Sequence, residues 1–234
     1  MLKIAQQTIH RSDGTPVATE VLARLLLGQT VLTPPTFMAD QNDESWFALD
    51  IEVLRLTLAY DVCNRSPGAV FVNISAPTLD SEAFFRLYQS KLMEVEPATI
   101  ARLVIEIPET SSLVGKGLVN RLVALKHTGV RVAIDDFGQL HANQERLEAF
   151  DWDFCKIDLP AIHATANMNW MDVAIKHCNA TNTHLIMEKI ESEGDIAHLL
   201  QPVKRQAWYQ GYCFSRPEVV ALRHPVGVGN HGAR

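Results

Sequence analysis

The chain has 234 residues, of which 47% are hydrophobic and 21% are charged. These values are typical of a globular protein with one large domain or two small ones, and they exclude a chain that is disordered throughout. The formal net charge of -6 argues against binding to nucleic acid polymers or to an anionic membrane, because both favour basic surfaces.

The chain also lacks the usual signals for export. Its first ten residues have no apolar signal core, and no apolar run reaches the ~18 residues that a membrane-spanning helix needs. The four cysteines are widely spaced, and we interpret them as free thiols rather than disulfides. The sequence therefore predicts a cytoplasmic protein with no membrane partner.

Short apolar or β-branched runs alternate along the chain with longer segments of helical period. The predicted strands are residues 17–19, 69–72, 102–105, 130–134, 154–157, 184–187 and 206–209. The predicted helices are residues 50–62, 118–125 and 171–180. This alternation is typical of a parallel α/β fold. Seven or eight strands without a dinucleotide-binding fingerprint favour a closed barrel over an open doubly wound sheet. Residues 219–234 lack a period and are predicted to form a loose tail after a single domain of residues 1–218.

A polar or charged residue follows or closes each apolar run. In chain order these residues are Glu20, Asn73, Glu106, Asp135, Asp136, Lys156, Asp158, Glu188, Glu191 and Gln210. Any one of them alone is explained as a solvated strand end or a helix cap. In a parallel barrel, however, the carboxyl ends of the strands open on one face, so all of them would converge there.

So many carboxylates in one mouth repel each other unless a cation neutralises them. Carboxylate and amide oxygens without His or Cys favour hard ions such as Mg²⁺ or Mn²⁺. Two such ions suit in-line phosphoryl chemistry, and Lys156 adds a donor for a water or a phosphate oxygen. The pattern therefore predicts a metal-dependent site for a phosphate substrate.

Seven short motifs in order resemble those of the EAL domain family of cyclic di-GMP phosphodiesterases, over roughly residues 6–218. The segments are EVLAR at 20–24, VNIS at 72–75, IEIPE at 105–109, DDFG at 135–138, KID at 156–158, EKIE at 188–191 and QGYCFSRP at 210–217. The resemblance implies a modified TIM barrel, a (β/α)8 fold, with the first strand antiparallel. It also implies hydrolysis of cyclic di-GMP to linear pGpG with two Mg²⁺ or Mn²⁺ ions, and inhibition by Ca²⁺.

The same resemblance assigns roles to individual residues. The implied metal ligands are Glu20, Asn73, Glu106, Asp135, Asp136 and Glu188. The implied catalytic residues are Lys156, which would position the water, Glu188, which binds metal or takes the proton of the water, and Glu191, a supporting carboxylate. The implied substrate contacts are Gln6, Arg24 and Gln210. Glu109 would anchor the loop after Asp136, at a homodimer interface.

This chain departs from the family pattern at three places. The loop at 139–143 reads QLHAN where the family usually has TGYSS, so the partners of Glu109 have changed. Lys189 replaces a glycine, and its side chain is expected to point away from the substrate or to pair with Glu191. Pro108 replaces a usual threonine and removes a hydroxyl and a backbone donor.

Three hypotheses of function remain after the sequence alone. The first is a stand-alone phosphodiesterase, regulated through expression, dimerisation or an unidentified protein, because 234 residues leave no room for a sensor domain. The second is a catalytically silent receptor for cyclic di-GMP, which the altered loop favours. The third is a protein-interaction module on the same fold, which predicts eroded metal ligands, and they are intact.

Overall fold

The computed structural model describes residues 1–158, 169–195 and 207–220, and within them ten strands join in one sheet. Most of the strands form from the short apolar runs, because β-branched and aromatic side chains fit a buried sheet. The strands are β1 (Leu2–His10), β2 (Pro16–Leu27), β3 (Thr30–Leu32), β4 (Ala69–Asn73), β5 (Leu103–Ile107), β6 (Arg131–Phe137), β7 (Phe154–Asp158), β8 (His184–Glu188), β9 (Trp208–Tyr209) and β10 (Glu218–Val219).

Eight of these described strands close into a barrel. The order runs β1, β9, β8, β7, β6, β5, β4, β2 and back to β1. The neighbours between β2 and β9 are parallel, whereas β1 is antiparallel to both of its neighbours, β2 and β9. The modified TIM barrel with an antiparallel first strand is confirmed. The short strands β3 and β10 add antiparallel pairings to β2 and β1 at the margin.

Helices follow the strands and cover the outside of the barrel. Several begin at a polar cap, as where the side chain of Asn42 accepts a hydrogen bond from the backbone N–H of Ser45. The described helices are α1 (Pro34–Phe37), α2 (Asp43–Ala59), α3 (Val62–Arg65), α4 (Ala76–Asp80), α5 (Glu82–Met93), α6 (Pro97–Ile100), α7 (Gly115–His127), α8 (Gln144–Glu148) and α9 (Asn169–Thr181).

A cluster of apolar side chains, the apolar plug, fills the part of the barrel interior that lies toward the amino ends of the parallel strands. It consists of Ile9, Ala18, Ala69, Phe71, Val104, Ala133, Phe154 and Ile186, with Trp208 packed against it. Side chains two residues apart on a strand point to the same face. The residues two positions after the plug residues of the parallel strands therefore also face inward, and they are Glu20, Asn73, Glu106, Asp135, Lys156, Glu188 and Gln210. These seven inward-facing residues form the polar layer of the barrel, which lies directly above the apolar plug toward the carboxyl ends of the strands.

The first predicted strand was too short. β2 continues to Leu27, so Glu20 lies inside the strand rather than at its end. Parallel pairing with β4 stops where Val21 lies opposite Val72, but β1 and then β3 supply antiparallel partners farther along. Glu20 nevertheless lies at the end of the parallel pairing between β2 and β4, beside the carboxyl ends of the other parallel strands.

The predicted boundary between the domain and its tail falls inside β10. Val219 lies opposite Ala5 of β1, and the backbone N–H of Val220 donates to the carbonyl of Ile4 at 2.9 Å. Residues 221–234 of the predicted tail lie outside the described residues, as does Gln206 of the seventh apolar run. Among the described residues, no helix is both long enough and apolar enough to cross a membrane.

Candidate active site

The polar layer is centred on the ammonium group of Lys156, whose side chain is only 2% exposed. Its Nζ atom lies 2.9 Å from Glu188 Oε1 and 3.1 Å from Asp135 Oδ1. It also contacts Glu106 Oε1, and Glu20 Oε1 lies at 3.9 Å. Four carboxyl groups from four different strands therefore share one buried lysine.

Glu20 accepts hydrogen bonds from two neighbouring amide side chains. Asn73 Nδ2 donates to Glu20 Oε1 at 3.1 Å, and Gln210 Nε2 donates to Glu20 Oε2. The same Gln210 Nε2 atom lies 3.3 Å from Gln7 Oε1. These bonds link β1, β2, β4 and the segment after β9 across the mouth of the barrel.

Both aspartates of the DDFG segment reach the mouth because β6 carries a bulge. Ile134 pairs with Cys155 and Phe137 pairs with Ile157, so β6 has one more residue than β7 between these pairs. Asp136 also has a positive φ of 44°, which turns the chain at this point. Asp135, Asp136 and Glu188 as a result offer oxygens that all lie within 4.8 Å of one another.

Burial, together with the crowding of acids, raises several pKa values. Burial raises the pKa of Glu188 to about 8, and burial together with Asp135 raises the pKa of Asp136 to about 6. Burial and Glu20 raise the pKa of Glu106 well above its usual range. Burial alone would lower the pKa of Lys156, but the surrounding carboxylates, Asp135 foremost, raise it instead. The site is therefore short of positive charge.

A cavity of about 860 Å³ opens above the polar layer. Arg24, Glu191 and Tyr212 lie on its wall with most of the predicted acids. Gln6 does not line it, and Gln7 does, because Gln7 lies opposite Glu20 in the β1–β2 pairing and therefore shares its face. The register of the antiparallel β1–β2 pair, which places Gln7 opposite Glu20, is the feature that distinguishes Gln7 from Gln6.

A buried aspartate outside the mouth fixes the segment that follows Asn73. Asp50 of α2 accepts hydrogen bonds from the backbone N–H of Ser75 at 2.9 Å and from its hydroxyl at 2.6 Å. Burial raises the pKa of Asp50 to about 6, and the bonds from Ser75 oppose that rise. This support was missed from the sequence, in which Asp50 reads as an ordinary helix residue.

The donor set suits a hard divalent cation. It is made of carboxylate and amide oxygens, which Mg²⁺ and Mn²⁺ prefer. Glu106 Oε2 is buried and accepts no hydrogen bond from any residue that the structure describes. A buried acceptor without a donor is costly, and a cation would satisfy it. The residues present therefore fit a metal centre that Glu20, Asn73, Glu106, Asp135, Asp136 and Glu188 would hold.

Comparison with known proteins agrees with this geometry. The family model of the EAL domain matches residues 1–217, which is nearly the whole chain. The chain belongs to the EAL domain family. Its own EAL-type motif is EVL at 20–22, in which valine takes the place of alanine.

Curated relatives carry names from cyclic di-GMP turnover. The chain is 29% identical over 234 residues to the probable cyclic di-GMP phosphodiesterase PdeA of Escherichia coli K12, a match that covers 94% of this chain and 31% of that protein. It is 31% identical over 150 residues to the probable cyclic di-GMP phosphodiesterase PdeN of the same organism, covering 62% of this chain and 28% of that protein. The chain thus spans about a third of the length of these relatives.

Solved structures share the fold, including one of a protein with an EAL domain. The Bacillus subtilis YkuI protein, in complex with cyclic di-GMP and calcium, superposes with a TM-score of 0.76 at 23% identity, covering 96% of this chain and 57% of that one. Klebsiella pneumoniae BlrP1, in a complex with manganese and cyclic di-GMP, gives a TM-score of 0.74 at 21% identity, covering 93% and 56%. These similarities show the fold of the chain.

The lysine that replaces the EAL glycine points into the site. Lys189 Nζ lies 2.9 Å from Asp158 Oδ2 and 3.7 Å from Asp136 Oδ1. The expected pairing with Glu191 was wrong, because Glu191 lies exposed on the cavity wall and Asp158 lies nearer the ammonium group. Asp158 faces the mouth because it lies two residues after Lys156 on β7.

The altered loop at 139–143 and the segment after β5 are held in part by a residue that the sequence did not single out, Arg146. Glu109 contributes its backbone carbonyl, which accepts a hydrogen bond from the N–H of His141 at 3.1 Å. The buried Arg146 donates to the carbonyl of Pro108 at 2.9 Å and to that of Ser111 at 2.6 Å. Gln139 Nε2 donates to Asp158 Oδ2 at 2.5 Å. An arginine inside a short polar helix gives no signal of this role in the sequence.

We predict that Gly211→Ala destabilises the protein strongly. A Cβ atom at Gly211 would lie 2.1 Å from the carbonyl oxygen and 2.3 Å from the nitrogen of Ile190, both backbone atoms that cannot move aside. We expect a loss of about 3 kcal/mol or more in the free energy of unfolding, measured by urea denaturation. Gly14→Ala is the matched control, since its φ is also positive but its Cβ would meet nothing within 4 Å. It should lose only about 1 kcal/mol, and equal losses would contradict the steric explanation.

Proposed function

We propose that this chain is a metal-dependent phosphodiesterase that hydrolyses cyclic di-GMP to linear pGpG. The observation that carries the proposal is the convergence of the predicted residues at one mouth. Six strands and the segment after β9 bring Glu20, Asn73, Glu106, Asp135, Lys156, Glu188 and Gln210 onto a single polar layer. The names of the curated relatives support the same reaction.

The metal ions are proposed to be two Mg²⁺ or Mn²⁺ ions, with Ca²⁺ as an inhibitor. When bound, such ions activate water and neutralise charge on the phosphate. The two structural neighbours that hold cyclic di-GMP with calcium or manganese are consistent with a divalent cation at this place.

The residues of the chain supply binding, orientation and proton transfer. The Lys156 ammonium holds a water or a non-bridging phosphate oxygen, because it is buried and keeps its charge among four acids. Burial raises the pKa of Glu188 to about 8, so without metal its carboxyl holds a proton at neutral pH, and it would have to release that proton before it could bind a cation or take the proton of the water. Arg24 on the cavity wall pairs with a substrate phosphate. Gln7 and Gln210 lie beside Glu20 on the cavity wall and would contact the substrate. Glu191 lies on the same wall and would act as a supporting carboxylate near the metal ions.

A silent receptor for cyclic di-GMP is the second candidate function. The observation that favours it is Lys189, whose ammonium group lies against Asp136, one of the proposed metal ligands. A receptor would bind the dinucleotide in the same cavity without cleaving it.

Dimerisation and a cytoplasmic location also belong to the proposal. Leu140, in the loop that the family resemblance places at the dimer interface, is 71% exposed in the isolated chain. An exposed leucine of this kind suits burial against a second copy. Light scattering of the purified protein tests the dimer.

The deciding experiment is chromatographic detection of pGpG after purified protein is incubated with cyclic di-GMP and Mn²⁺. We expect product from the wild type and at least a 100-fold lower rate from Glu20→Ala, which removes a proposed metal ligand. Calorimetry with cyclic di-GMP in Ca²⁺ accompanies the assay, to measure binding without turnover.

Each outcome selects a different function. Product that disappears in Glu20→Ala establishes the enzyme. Tight binding without product identifies the receptor. Neither binding nor product rejects both nucleotide hypotheses and leaves the interaction module.

A further inference from the structure

Lys189 brings a positive charge to one side of the acid cluster. Its side chain is 53% exposed, but its Nζ atom reaches Asp158 Oδ2 at 2.9 Å and Asp136 Oδ1 at 3.7 Å. Asp136 is one of the three acids whose oxygens gather within 4.8 Å. The ammonium group therefore lies on the Asp136 side of the proposed metal centre.

The backbone holds this lysine in place. Lys189 has a φ of 56°, a left-handed conformation that is rare for residues other than glycine. The next residue, Ile190, is buried, and its N–H and carbonyl both bond to the segment after β9, through Gln210 and Cys213. Because Glu188 and Ile190 are both fixed, the direction in which Lys189 leaves the chain is fixed as well.

The carboxylate that pairs with Lys189, that of Asp158, is also held by a second residue. Asp158 is buried, and its Oδ2 atom accepts a hydrogen bond from Gln139 Nε2 as well as the contact from Lys189. Its other oxygen, Oδ1, is buried and accepts no hydrogen bond from the described residues. Moving Lys189 away would therefore leave a buried carboxylate with less compensation, which opposes the movement.

We propose that Lys189 is a resident counter-ion that competes with a divalent cation for Asp136. The inference rests on the proposed function, which supplies the pair of cations. Cation binding on the Asp136 side then requires Lys189 to withdraw, whereas binding at Glu20, Asn73 and Glu106 does not. The two cations consequently bind with unequal affinity, and Lys189 sets the metal concentration at which the site is filled.

The test is calorimetric titration of the full chain with Mn²⁺, without nucleotide. The wild type should show a tighter and a weaker binding step. Lys189→Gln keeps most of the side-chain length but not the charge, and we expect it to tighten the weaker step at least tenfold and to leave the tighter step within twofold. Lys189→Arg keeps the charge and should resemble the wild type.

Two further variants separate this role from general effects. Lys91→Gln removes an exposed charge that pairs with Glu94 and does not line the active-site cavity, and it should leave both steps unchanged. Lys189→Gly suits the left-handed backbone, so it serves if the glutamine variant folds poorly, and it should also tighten the weaker step.

An unchanged or weaker titration in both Lys189→Gln and Lys189→Gly would overturn the inference, as would the absence of Mn²⁺ binding in every variant. The pGpG assay, run in parallel, tests the proposed function separately. No product, together with a tightened second step, would contradict the enzyme and retain the role of Lys189. Product from the wild type, together with unchanged Mn²⁺ titrations, would support the enzyme and contradict the role of Lys189.

Discussion

Replacing Lys156 with methionine should destabilise the metal-free protein by about 3–5 kcal/mol at pH 8. The ammonium group is buried and lies within 4 Å of carboxyl oxygens of Glu20, Glu106, Asp135 and Glu188. Methionine has a similar length but no charge, so it leaves four acids without their shared partner. Removing one member of a buried ion network costs more than a surface pair is worth, because the remaining charges stay desolvated.

Mn²⁺ should restore much of this stability but not the activity. A divalent cation replaces the lost positive charge among the acids, so the melting temperature of Lys156→Met should rise more on adding Mn²⁺ than that of the wild type. Hydrolysis of cyclic di-GMP should stay at least 100-fold below the wild type, because the donor to the water or phosphate oxygen is missing. The combination separates a structural role of the lysine from a chemical one.

Thermal unfolding with EDTA and with Mn²⁺, together with the pGpG assay, checks both parts. Lys91→Met is the matched control, since Lys91 pairs with Glu94 on an exposed helix surface and should lose less than about 1 kcal/mol. A metal-free melting temperature of Lys156→Met equal to that of the control would contradict the buried network. Activity near that of the wild type would reject the role of Lys156 in the reaction.

The convergence of the site could be predicted because strand geometry is periodic. An apolar residue two positions before each polar one, as in Phe71 before Asn73 or Phe154 before Lys156, puts both on the same face of a strand. Once the fold is a barrel, this pattern stacks a polar layer on an apolar plug. The family motifs then name the residues of that layer.

Other features of the site depend on details of the backbone that the alternation of apolar and polar residues does not encode. Asp135 and Asp136 both face the mouth only because of a bulge and a positive φ, and adjacent strand residues ordinarily face opposite sides. The choice of Gln7 over Gln6 depends on the register of an antiparallel pair. Lys189 contacts Asp158 from a left-handed backbone, a conformation that is rare for residues other than glycine.

The residues that hold the site in place from outside the mouth of the barrel were the hardest to predict from the sequence. Arg146 fixes the loop at Pro108 and Ser111 through backbone carbonyls, which every residue possesses. Asp50, on α2, fixes Ser75 although it precedes Ser75 by 25 residues. Contacts of this kind depend on which segments meet in space, so residue type and spacing along the chain do not reveal them.

Without metal, the stability of the protein should fall as pH rises from 6 to 8. Glu188 has a pKa of about 8 in the folded protein and about 4.5 as its ordinary value. Between these values the folded protein holds a proton that the unfolded chain has released, so raising the pH favours unfolding. One such proton gives a slope of about 1.4 kcal/mol per pH unit, or about 2–3 kcal/mol between pH 6 and 8. The raised pKa of Glu106 acts in the same direction.

Urea denaturation in EDTA, repeated at several pH values, measures this slope. Glu188→Gln cannot release the proton and should show a shallower slope by about one proton, while other titrating groups contribute equally to both proteins. Saturating Mn²⁺ should change the sign of the wild-type trend, because the cation displaces protons from its ligands and binds more tightly as the pH rises. A metal-free wild type whose stability is flat or increases over this range would show that Glu188 is already ionised at pH 6. The same acids would then bind metal without releasing protons, and the stabilisation by Mn²⁺ would not depend on pH.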